Sequence, residues 1–330
     1  MILIISDVGG SENDVIDWIV SKGETVHRLN PFYNKNILIN EIQLNNDFTD
    51  IEFTYNDHTK AKLSDYDSIW VWHSNLKFNN ADSMLKEYED NEIIKKINHN
   101  LEQHHKVLIS YLDFCLHLKK DKVIGNYGVQ SLNKLEVIHR AKNLGIDVPN
   151  SSIVTSKSKL MELLKLRDYI TKPYYESTYL NYSEKIYQNY TSILTDSDLK
   201  DSDEELFPTL IQEKIDKEFE LRIFYLMGQF FSMAIFSQQS SKTEVDFRNY
   251  NFENPNRNVP FILPKEIERK LECLFNELNL NSGSVDMIYS KDHKYIFLEI
   301  NPVGQFGMVS FPCNYYLEEI LAKKLIDGKC

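Results

Sequence analysis

The stretch SVDMIYSKDHKYIFLEINP, residues 284–302, decides the fold prediction because it joins two β-prone runs through a short polar turn. The four residues KDHK between the runs predict an antiparallel hairpin. Side chains alternate along a strand, so we expect Phe297, Glu299 and Asn301 to share one face and the aliphatic residues between them to share the other. A carboxylate and a carboxamide on such an apolar strand indicate either that this face is exposed to solvent or that it binds a ligand.

The expected register of this hairpin brings two carboxylates together. If Ser290 pairs with Tyr295, Asp286 lies directly opposite Glu299. Like charges in that position destabilise a strand pair by up to about 1 kcal/mol, so removing either charge should not lower the stability of the metal-free protein. A divalent cation would also remove the penalty. Together with the amide of Asn301, the two carboxylates are hard oxygen donors that suit Mg²⁺. The alternative is a solvated hairpin with scattered charges.

Length and composition limit the class of protein. A chain of 330 residues with 42% hydrophobic and 26% charged residues is typical of a globular protein with two or three structural units. The formal net charge of −12 argues against a nucleic-acid partner. No apolar run is long enough to predict a membrane span, and the N-terminus lacks the basic start of a signal peptide. The four cysteines are scattered without CxxC spacing, which is typical of a cytoplasmic protein.

The order of predicted elements indicates three units. Residues 1–124 alternate strands and helices as an α/β unit, residues 125–205 form a central α+β unit, and residues 206–330 form a mostly β unit that carries the hairpin. Within the first unit, we expect a long polar helix over 81–105 and a strand over the apolar residues 107–110.

The polar residues along the last two units have the charges that triphosphate chemistry needs. Lys134, Lys172 and Arg222 can match phosphate charge, and the carboxylate cluster can match a metal that bridges the phosphates. The chain has no GxxxxGK[ST] motif, so a bound nucleotide would have to contact a structural element other than a P-loop. The strand IQEKI, residues 211–215, could supply one through its backbone edge and its isoleucines.

This layout resembles the ATP-grasp superfamily. A helix lysine, a lysine in KP, a QE-x-I hinge, an acid-x-Arg pair and Asp…Glu-x-Asn follow in that order over residues 130–302. More narrowly, the segments SDVGGSENDVIDWI, HRLN, NVPFILP and NPVGQFGMVSFPCNYYLE are similar to graspetide synthetases, the microviridin-type peptide ligases, in the branch called grasp-with-spasm. The resemblance implies an ATP-grasp fold of α/β and α+β parts, with residues 1–124 as the pre-ATP-grasp domain.

The resemblance also implies a set of residues that bind ATP. They are Lys134, Lys172, Gln212, Glu213, Lys214, Ile215, Glu220 and Arg222. Within this set the two lysines would contact the phosphates, residues 212–215 would form the adenine hinge, and Glu220 would face the ribose. Without the family, Lys134 could be an ordinary surface lysine, and Glu220 could form a surface ion pair with Arg222.

Catalytic and metal-binding roles follow from the same resemblance. Arg222 would stabilise the transferring phosphoryl group, while Arg248 and Arg257 would lie near the substrate carboxylate or its acyl phosphate. The implied Mg²⁺ ligands, for two ions, are Asp286, Glu299 and Asn301. The resemblance implies no general base that can be assigned to a residue.

A graspetide synthetase uses ATP and Mg²⁺ to convert Asp or Glu side chains of a ribosomal precursor peptide into acyl phosphates. Thr, Ser or Lys side chains of the same peptide then close ω-ester or ω-amide macrocycles. The resemblance implies a homodimer and a precursor made of leader and core. Candidate surfaces for the leader are residues 174–190, whose tyrosines offer amphipathic contact area, and the hairpin 219–236, which has the apolar residues Phe224, Leu226 and Phe230; alternatively, the apolar residues of the hairpin belong to the core. Two alternatives are an ATP-grasp ligase that joins free amino acids or small peptides, and a non-catalytic ATP-binding protein.

Overall fold

Secondary structure in the computed structural model falls into three consecutive groups. The structure describes residues 1–6, 9–29, 38–45, 49–55, 58–72, 92–126, 131–175, 179–182, 185–188, 191–238 and 255–328. The first group is β1 Ile2–Ser6, α1 Gly10–Ser21, β2 Val26–Leu29, β3 Leu38–Leu44, β4 Thr49–Thr54, β5 Lys60–Lys62, β6 Ser68–Trp72, α2 Glu92–Leu118 and β7 Val123–Ile124. The second group is α3 Lys134–Asn143, β8 Ser151–Ser156, α4 Lys157–Leu164, β9 Tyr169–Thr171, β10 Tyr179–Tyr182, β11 Lys185–Gln188, β12 Ser192–Ile193 and β13 Glu205–Glu213. The third group is β14 Lys217–Leu226, β15 Gln229–Phe236, β16 Arg257–Phe261, α5 Lys265–Glu277, β17 Ser282–Ser290, β18 Tyr295–Asn301, α6 Gly307–Cys313 and α7 Leu317–Asp327.

The first group is built on a parallel sheet with the strand order β2-β1-β6-β7. All five residues of β1 and all five of β6 are buried, as expected for strands covered on both faces. Strands β3, β4 and β5 form a separate antiparallel sheet. The α/β character predicted for this part of the chain is therefore confirmed.

One predicted strand is wrong. Residues 107–110 lie inside α2, which continues to Leu118. Ile109, Leu112 and Leu116 recur at the three- and four-residue spacing of a helix, and they pack against the core beside the parallel sheet. A short apolar run does not distinguish a strand from one turn of a half-buried helix, which explains the error. Of the predicted helix over 81–105, the part before residue 92 lies outside the described residues.

The second group forms an antiparallel sheet with the order β12-β9-β13-β8. Its small core contains Val154, Leu160 and Ile211, with α4 packed on one face. Strand β13 crosses the boundary that we expected at 206, so this sheet continues to Glu213. The tyrosine-rich segment includes the two-stranded sheet of β10 and β11, whose side chains lie outside the described residues.

The third group forms a five-stranded antiparallel sheet with the order β16-β15-β14-β17-β18. Helices α3 and α5 cover one face, and the core there includes Leu221, Val285 and Phe297. The other face contributes Phe224 and Leu226 to a core shared with the N-terminal parallel sheet. The charged residues of the candidate site project from this second face.

An aromatic cluster joins the N-terminal sheet to the five-stranded sheet. The ring centroid of Phe306 lies 5.4 Å from that of Trp72 and 5.3 Å from that of Phe224. Phe306 and Val309 are fully buried in this core. The NPVGQFGMVSF segment, which carries much of the family resemblance, therefore has a packing role at this junction.

Candidate active site

The hairpin of β17 and β18 contains one extra residue. Asp286 lies opposite Glu299, as predicted. Next to the turn, however, Tyr295 lies opposite Tyr289, so the predicted pairing of Tyr295 with Ser290 is wrong. The register shifts immediately after Asp286, and Leu298 is left without a directly opposite partner. This is a β-bulge, in which two residues of one strand face a single residue of the other.

Because of the bulge, the side chains of β18 point to different faces of the sheet from those predicted. Phe297 is fully buried beside Ile300 in the core under α3 and α5. Leu298 and Glu299 line a cavity on the other side of the sheet. The prediction that Phe297 shares a face with Glu299 is therefore wrong, because the extra residue interrupts the alternation between them.

Asp286 forms a buried ion pair with Arg222 of the neighbouring strand. The two residues are directly opposite in the ladder of β14 and β17, and Arg222 Nη1 lies 2.8 Å from Oδ1 and 2.7 Å from Oδ2 of Asp286. Arg222 Nε is buried and has no hydrogen-bond acceptor among the described residues. The alternative of a surface pair with Glu220 is wrong, because both residues are buried and the acidic partner of Arg222 is Asp286.

Glu299 pairs with a different cation. Lys134 Nζ lies 3.2 Å from Glu299 Oε2, and both side chains are largely buried. Lys134 is the first residue of α3, and the Asn133 side chain caps that helix by accepting hydrogen bonds from two backbone N–H groups. Asn301 Nδ2 lies 3.5 Å from Glu299 Oε1. Each carboxylate thus has a nearby positive charge, which offsets the repulsion expected from the sequence.

A second buried ion pair lies on β14. Lys217 Nζ donates to Glu220 Oε1, and Ser237 Oγ donates to the same oxygen over 3.0 Å. Sequence reasoning missed Lys217 because strict alternation puts residues three apart on opposite faces. The register of β14 shifts between Lys217 and Phe219, which brings Lys217 to the face of Glu220.

The predicted hinge is held by side-chain contacts to the start of β8. Gln212 Nε2 donates to Ser151 Oγ over 2.8 Å. The Glu213 carboxylate accepts hydrogen bonds from the backbone N–H of Asn150 over 3.0 Å, from Asn150 Nδ2 over 2.8 Å, and from Arg167 Nη1. Burial acts to raise the pKa of Glu213, but the hydrogen bonds from Asn150 and Arg167 outweigh it, so the pKa is lowered.

These residues meet at a cavity between the central sheet and the five-stranded sheet. It measures about 80 Å³ and is bordered on one side by Lys172 and the hinge. The other side carries charged residues of the five-stranded sheet. Taking both sides together, the lining includes seven residues that were predicted for the site: Lys172, Gln212, Glu213, Ile215, Glu220, Asp286 and Glu299. Lys134 and Arg222 join the group through their ion pairs with Glu299 and Asp286.

The structure does not bring every predicted residue to this cavity. Arg257 is exposed on β16, with its guanidinium 5.7 Å from the ring centroid of Phe236. Val259, two residues later, packs on the face covered by α5, so alternation places Arg257 on that face and away from Glu220. Lys214 is absent from the cavity lining among the described residues, and its backbone N–H donates to the carbonyl of a residue next to β9. Arg248 lies outside the described residues.

Gly304 is a further site residue that sequence reasoning missed. A Cβ at this position would lie 2.5 Å from Ser284 Cβ and 3.0 Å from Arg222 Nη2. Its backbone therefore approaches the buried arginine more closely than a larger residue would allow. The glycine in NPVGQ was the available signal.

Part of the proposed leader-docking surface is core. Phe224 is 1% exposed and Leu226 is 0% exposed, so neither is available on the hairpin 219–236. Phe230 is partly buried against the core under α5. On the tyrosine-rich segment, Tyr175 is 71% exposed.

The donor chemistry of the site fits Mg²⁺. Asp286 and Glu299 face one another on adjacent strands, and Asn301 lies beside Glu299. In the described ranges, no three His, Cys, Asp or Glu side chains form a metal-binding group. Two carboxylates and one carboxamide nevertheless match an ion that takes few protein ligands and shares the remaining positions with phosphate and water.

Comparisons with known proteins identify the fold. No protein-family profile and no curated protein sequence matches the chain. It is similar to the RiPP-associated ATP-grasp ligase of Chryseobacterium gregarium in complex with ADP and a leader and core peptide, with TM-score 0.79, 21% identity, and coverage of 100% of this chain and 96% of that chain. It is also similar to the macrocyclase MdnC of Microcystis aeruginosa MRC bound with the precursor peptide MdnA, with TM-score 0.75, 22% identity and 99% coverage of both chains.

A more distant structure extends this comparison. D-alanine–D-alanine ligase of Bacillus anthracis, complexed with ATP, aligns at TM-score 0.51 and 13% identity over 99% of this chain and 96% of that chain. The chain therefore has the ATP-grasp fold, and the predicted fold is confirmed. Among the helices of the described residues, none is both long enough and apolar enough to cross a membrane.

Proposed function

We propose that the protein is an ATP-dependent peptide ligase of the graspetide synthetase class, with ADP as a product. The observation that carries this proposal is the cross-strand pair of Asp286 and Glu299, each beside its own cation, at a cavity bordered by the hinge. The full-length likeness to ligases bound to ADP or to precursor peptides supports it.

The nucleotide would lie in the cavity between the two sheets. Lys134 and Lys172 would supply positive charge for the phosphates. Residues 212–215 would offer backbone hydrogen-bonding groups to adenine, and Glu220 would accept hydrogen bonds from the ribose hydroxyls. The cavity of about 80 Å³ is smaller than the roughly 300–1,000 Å³ of typical ligand sites. Binding of ATP therefore requires this cavity to enlarge, through movement of its lining side chains or of the two sheets relative to each other.

Asp286, Glu299 and Asn301 would hold Mg²⁺, which would supply charge neutralisation for the terminal phosphates of ATP. Binding of a cation by the carboxylates would weaken their pairing with Arg222 and Lys134. Both cationic side chains would then be available to phosphate oxygens.

The reaction proceeds through an acyl phosphate. A carboxylate oxygen of the peptide attacks the γ-phosphorus of ATP, and the bond to the β-phosphate oxygen breaks to release ADP. A Ser or Thr hydroxyl, or a Lys amine, then attacks the carbonyl carbon, loses its proton and displaces inorganic phosphate. Arg222 stabilises charge on the transferring group. The contact of Arg248 with the peptide carboxylate stays a prediction. The same role for Arg257 also stays a prediction, but its position on β16 does not support it.

The partner in this proposal is a ribosomal precursor peptide with a leader and a core. Tethering by the leader would raise the local concentration of the core at the site. We further propose a homodimer, which rests on the family resemblance alone and which sedimentation equilibrium tests; a monomer at micromolar concentration would contradict it. The three described cysteines are free, and we propose a cytoplasmic location.

Purified protein with ATP, Mg²⁺ and its precursor peptide tests the proposal. We expect ADP, and a peptide that loses one water per crosslink. Rings made through Ser or Thr should reopen in mild base, whereas amide rings should not. Condensation of free amino acids without any peptide dehydration would favour the small-molecule ligase, and nucleotide binding without turnover would favour a non-catalytic role.

A further inference from the structure

A second cavity lies between α1 and the pair α6–α7. It measures about 600 Å³ and shares no lining residue with the candidate active site. Its lining includes Asp14, Asp17, Trp18, Phe311, Tyr316 and Glu318. Among the described residues that line it, none is basic. We call this the acidic aromatic cavity.

Glu318 is the most unusual member of this lining. The residue is only 5% exposed. Its Oε2 accepts a hydrogen bond from Ser310 Oγ over 2.6 Å, but its Oε1 is buried with no hydrogen-bond partner in the described part of the chain. Burying a carboxylate oxygen without a donor is unfavourable, so a ligand that donates a hydrogen bond to Oε1 would remove this cost.

The aromatic residues of the cavity are exposed in a way that core residues are not. Phe311 is 64% exposed and Tyr316 is 62% exposed, and both border the same opening as the half-buried Trp18. Tyr316 has φ of 54°, a left-handed conformation that is uncommon for a tyrosine. Faces of aromatic rings beside carboxylates favour a planar cation.

A basic residue beside the cavity, Lys22, is paired with an acidic residue outside the lining. Lys22 Nζ lies 3.7 Å from Glu319 Oε1 and 5.3 Å from the ring centroid of Trp18. Glu319 does not line the cavity. The neighbouring residues Glu318 and Glu319 therefore differ, since only Glu318 lines the cavity and has a buried carboxylate oxygen without a hydrogen-bond partner among the described residues.

We propose that the acidic aromatic cavity binds the guanidinium group of an arginine side chain from a peptide ligand. Ligand binding would turn the Glu318 side chain so that Oε1 is uncovered and accepts a hydrogen bond from the guanidinium, while Asp14 and Asp17 add negative charge at the opening. The aromatic rings stack on the planar cation, which an ammonium group matches less well. This site is separate from ATP chemistry and goes beyond the proposed ligase function.

Fluorine NMR of protein labelled with 5-fluorotryptophan tests the proposal. The chain has 3 tryptophans, and Trp18→Phe assigns the signal of the one at the cavity. Titration with N-acetyl-arginine methylamide should shift the Trp18 signal to saturation, whereas the neutral citrulline analogue of nearly the same shape should not. The titration contains no ATP, so its result is independent of the ligase proposal.

Two variants complete the test. Glu318→Gln should raise the Kd of the arginine probe about tenfold, since it replaces a charge-assisted hydrogen bond by a neutral one. Glu319→Gln is the matched control and should bind like wild type. Equal binding of the citrulline analogue, or an unchanged Kd in Glu318→Gln, would overturn the proposal. If Glu318→Gln does not fold, as judged from the other two tryptophan signals, the partly exposed double change Asp14→Asn and Asp17→Asn must weaken binding for the proposal to stand.

Discussion

Arg222 Nη1 lies 2.8 Å and 2.7 Å from the two carboxylate oxygens of Asp286 on the adjacent strand, and both residues are 7% exposed. A charge pair this buried depends on both members, because removal of one leaves the other desolvated without compensation. The sequence suggested a different pair, Asp286 with Glu299, and therefore a destabilising repulsion. Both pairs are present, and the arginine changes the expected effect of substituting Asp286.

We expect Asp286→Asn to abolish Mg²⁺-dependent ATP turnover and also to destabilise the fold. The stability cost should be about 3 kcal/mol, since Arg222 stays buried without a full carboxylate partner. The measurement is the midpoint of urea unfolding without metal, beside ATP turnover at saturating Mg²⁺.

Glu299→Gln is the variant to compare with Asp286→Asn. Its ion-pair partner Lys134 has a side chain that is 23% exposed, so the lysine can be solvated when the carboxylate is removed. It should lose turnover at a stability cost below about 1 kcal/mol. Wild-type stability in Asp286→Asn would contradict the role of the buried pair. Near-normal turnover in both variants would contradict the metal assignment.

The bulge at Leu298 predicts opposite effects for two neighbouring residues. Phe297→Ala should cost about 3–5 kcal/mol of stability, because the ring is fully buried in the core. Leu298→Ala should cost much less and should raise the KM for ATP, since Leu298 lines the cavity. Unfolding midpoints and ATP kinetics of the two variants check this; the reversed pattern would mean that the strand alternates without a bulge.

Glu213 gives a pH-dependent prediction. Its folded pKa is lowered below the ordinary value of 4.5, so its contribution to stability is fully present above that value and is lost as pH falls through the folded pKa. Wild type should exceed Glu213→Gln in urea midpoint near neutral pH. The difference should shrink below about pH 4.5. A difference that instead grows on acidification would show that the Asn150 and Arg167 contacts do not favour the ionised carboxylate.

Lys134 and Lys142 allow a matched test on one helix. Lys134 lies beside Glu299 at the site, whereas Lys142 is exposed near the other end of α3. Lys134→Met should lower kcat/KM for ATP about a hundredfold, because a positive charge for the phosphates is lost. Lys142→Met should behave like wild type, and equal effects in the two variants would remove Lys134 from the site.

Much of the site could be predicted from the sequence because its residues depend on local patterns. The turn KDHK and two β-prone runs predicted the hairpin and Asp286 opposite Glu299, and the structure confirms both. The assumed pairing of Ser290 with Tyr295 is wrong, and the extra residue at Leu298 offsets that one-residue error. The ATP-grasp fold followed from the order of motifs, and it is confirmed. The order of motifs along the chain can be read without knowledge of the tertiary structure.

What the sequence did not reveal depends on irregularities and on long-range contacts. The extra residue at Leu298 and the register shift after Lys217 reverse the faces of side chains, and no residue type marks either position. The helix over 107–110 is decided by packing against the N-terminal core, which a local apolar run does not disclose. Arg257 satisfied a motif-based expectation, yet the strand that carries it turns its side chain to the other face.

The most direct test of the central claim follows oxygen from the peptide to phosphate. The precursor peptide is prepared with ¹⁸O in its Asp and Glu carboxylates and is incubated with the protein, ATP and Mg²⁺. If a carboxylate oxygen attacks the γ-phosphorus, each crosslink should deliver one labelled oxygen to inorganic phosphate and form one ADP. Crosslinked peptide with unlabelled phosphate, or with AMP in place of ADP, would contradict the acyl-phosphate mechanism.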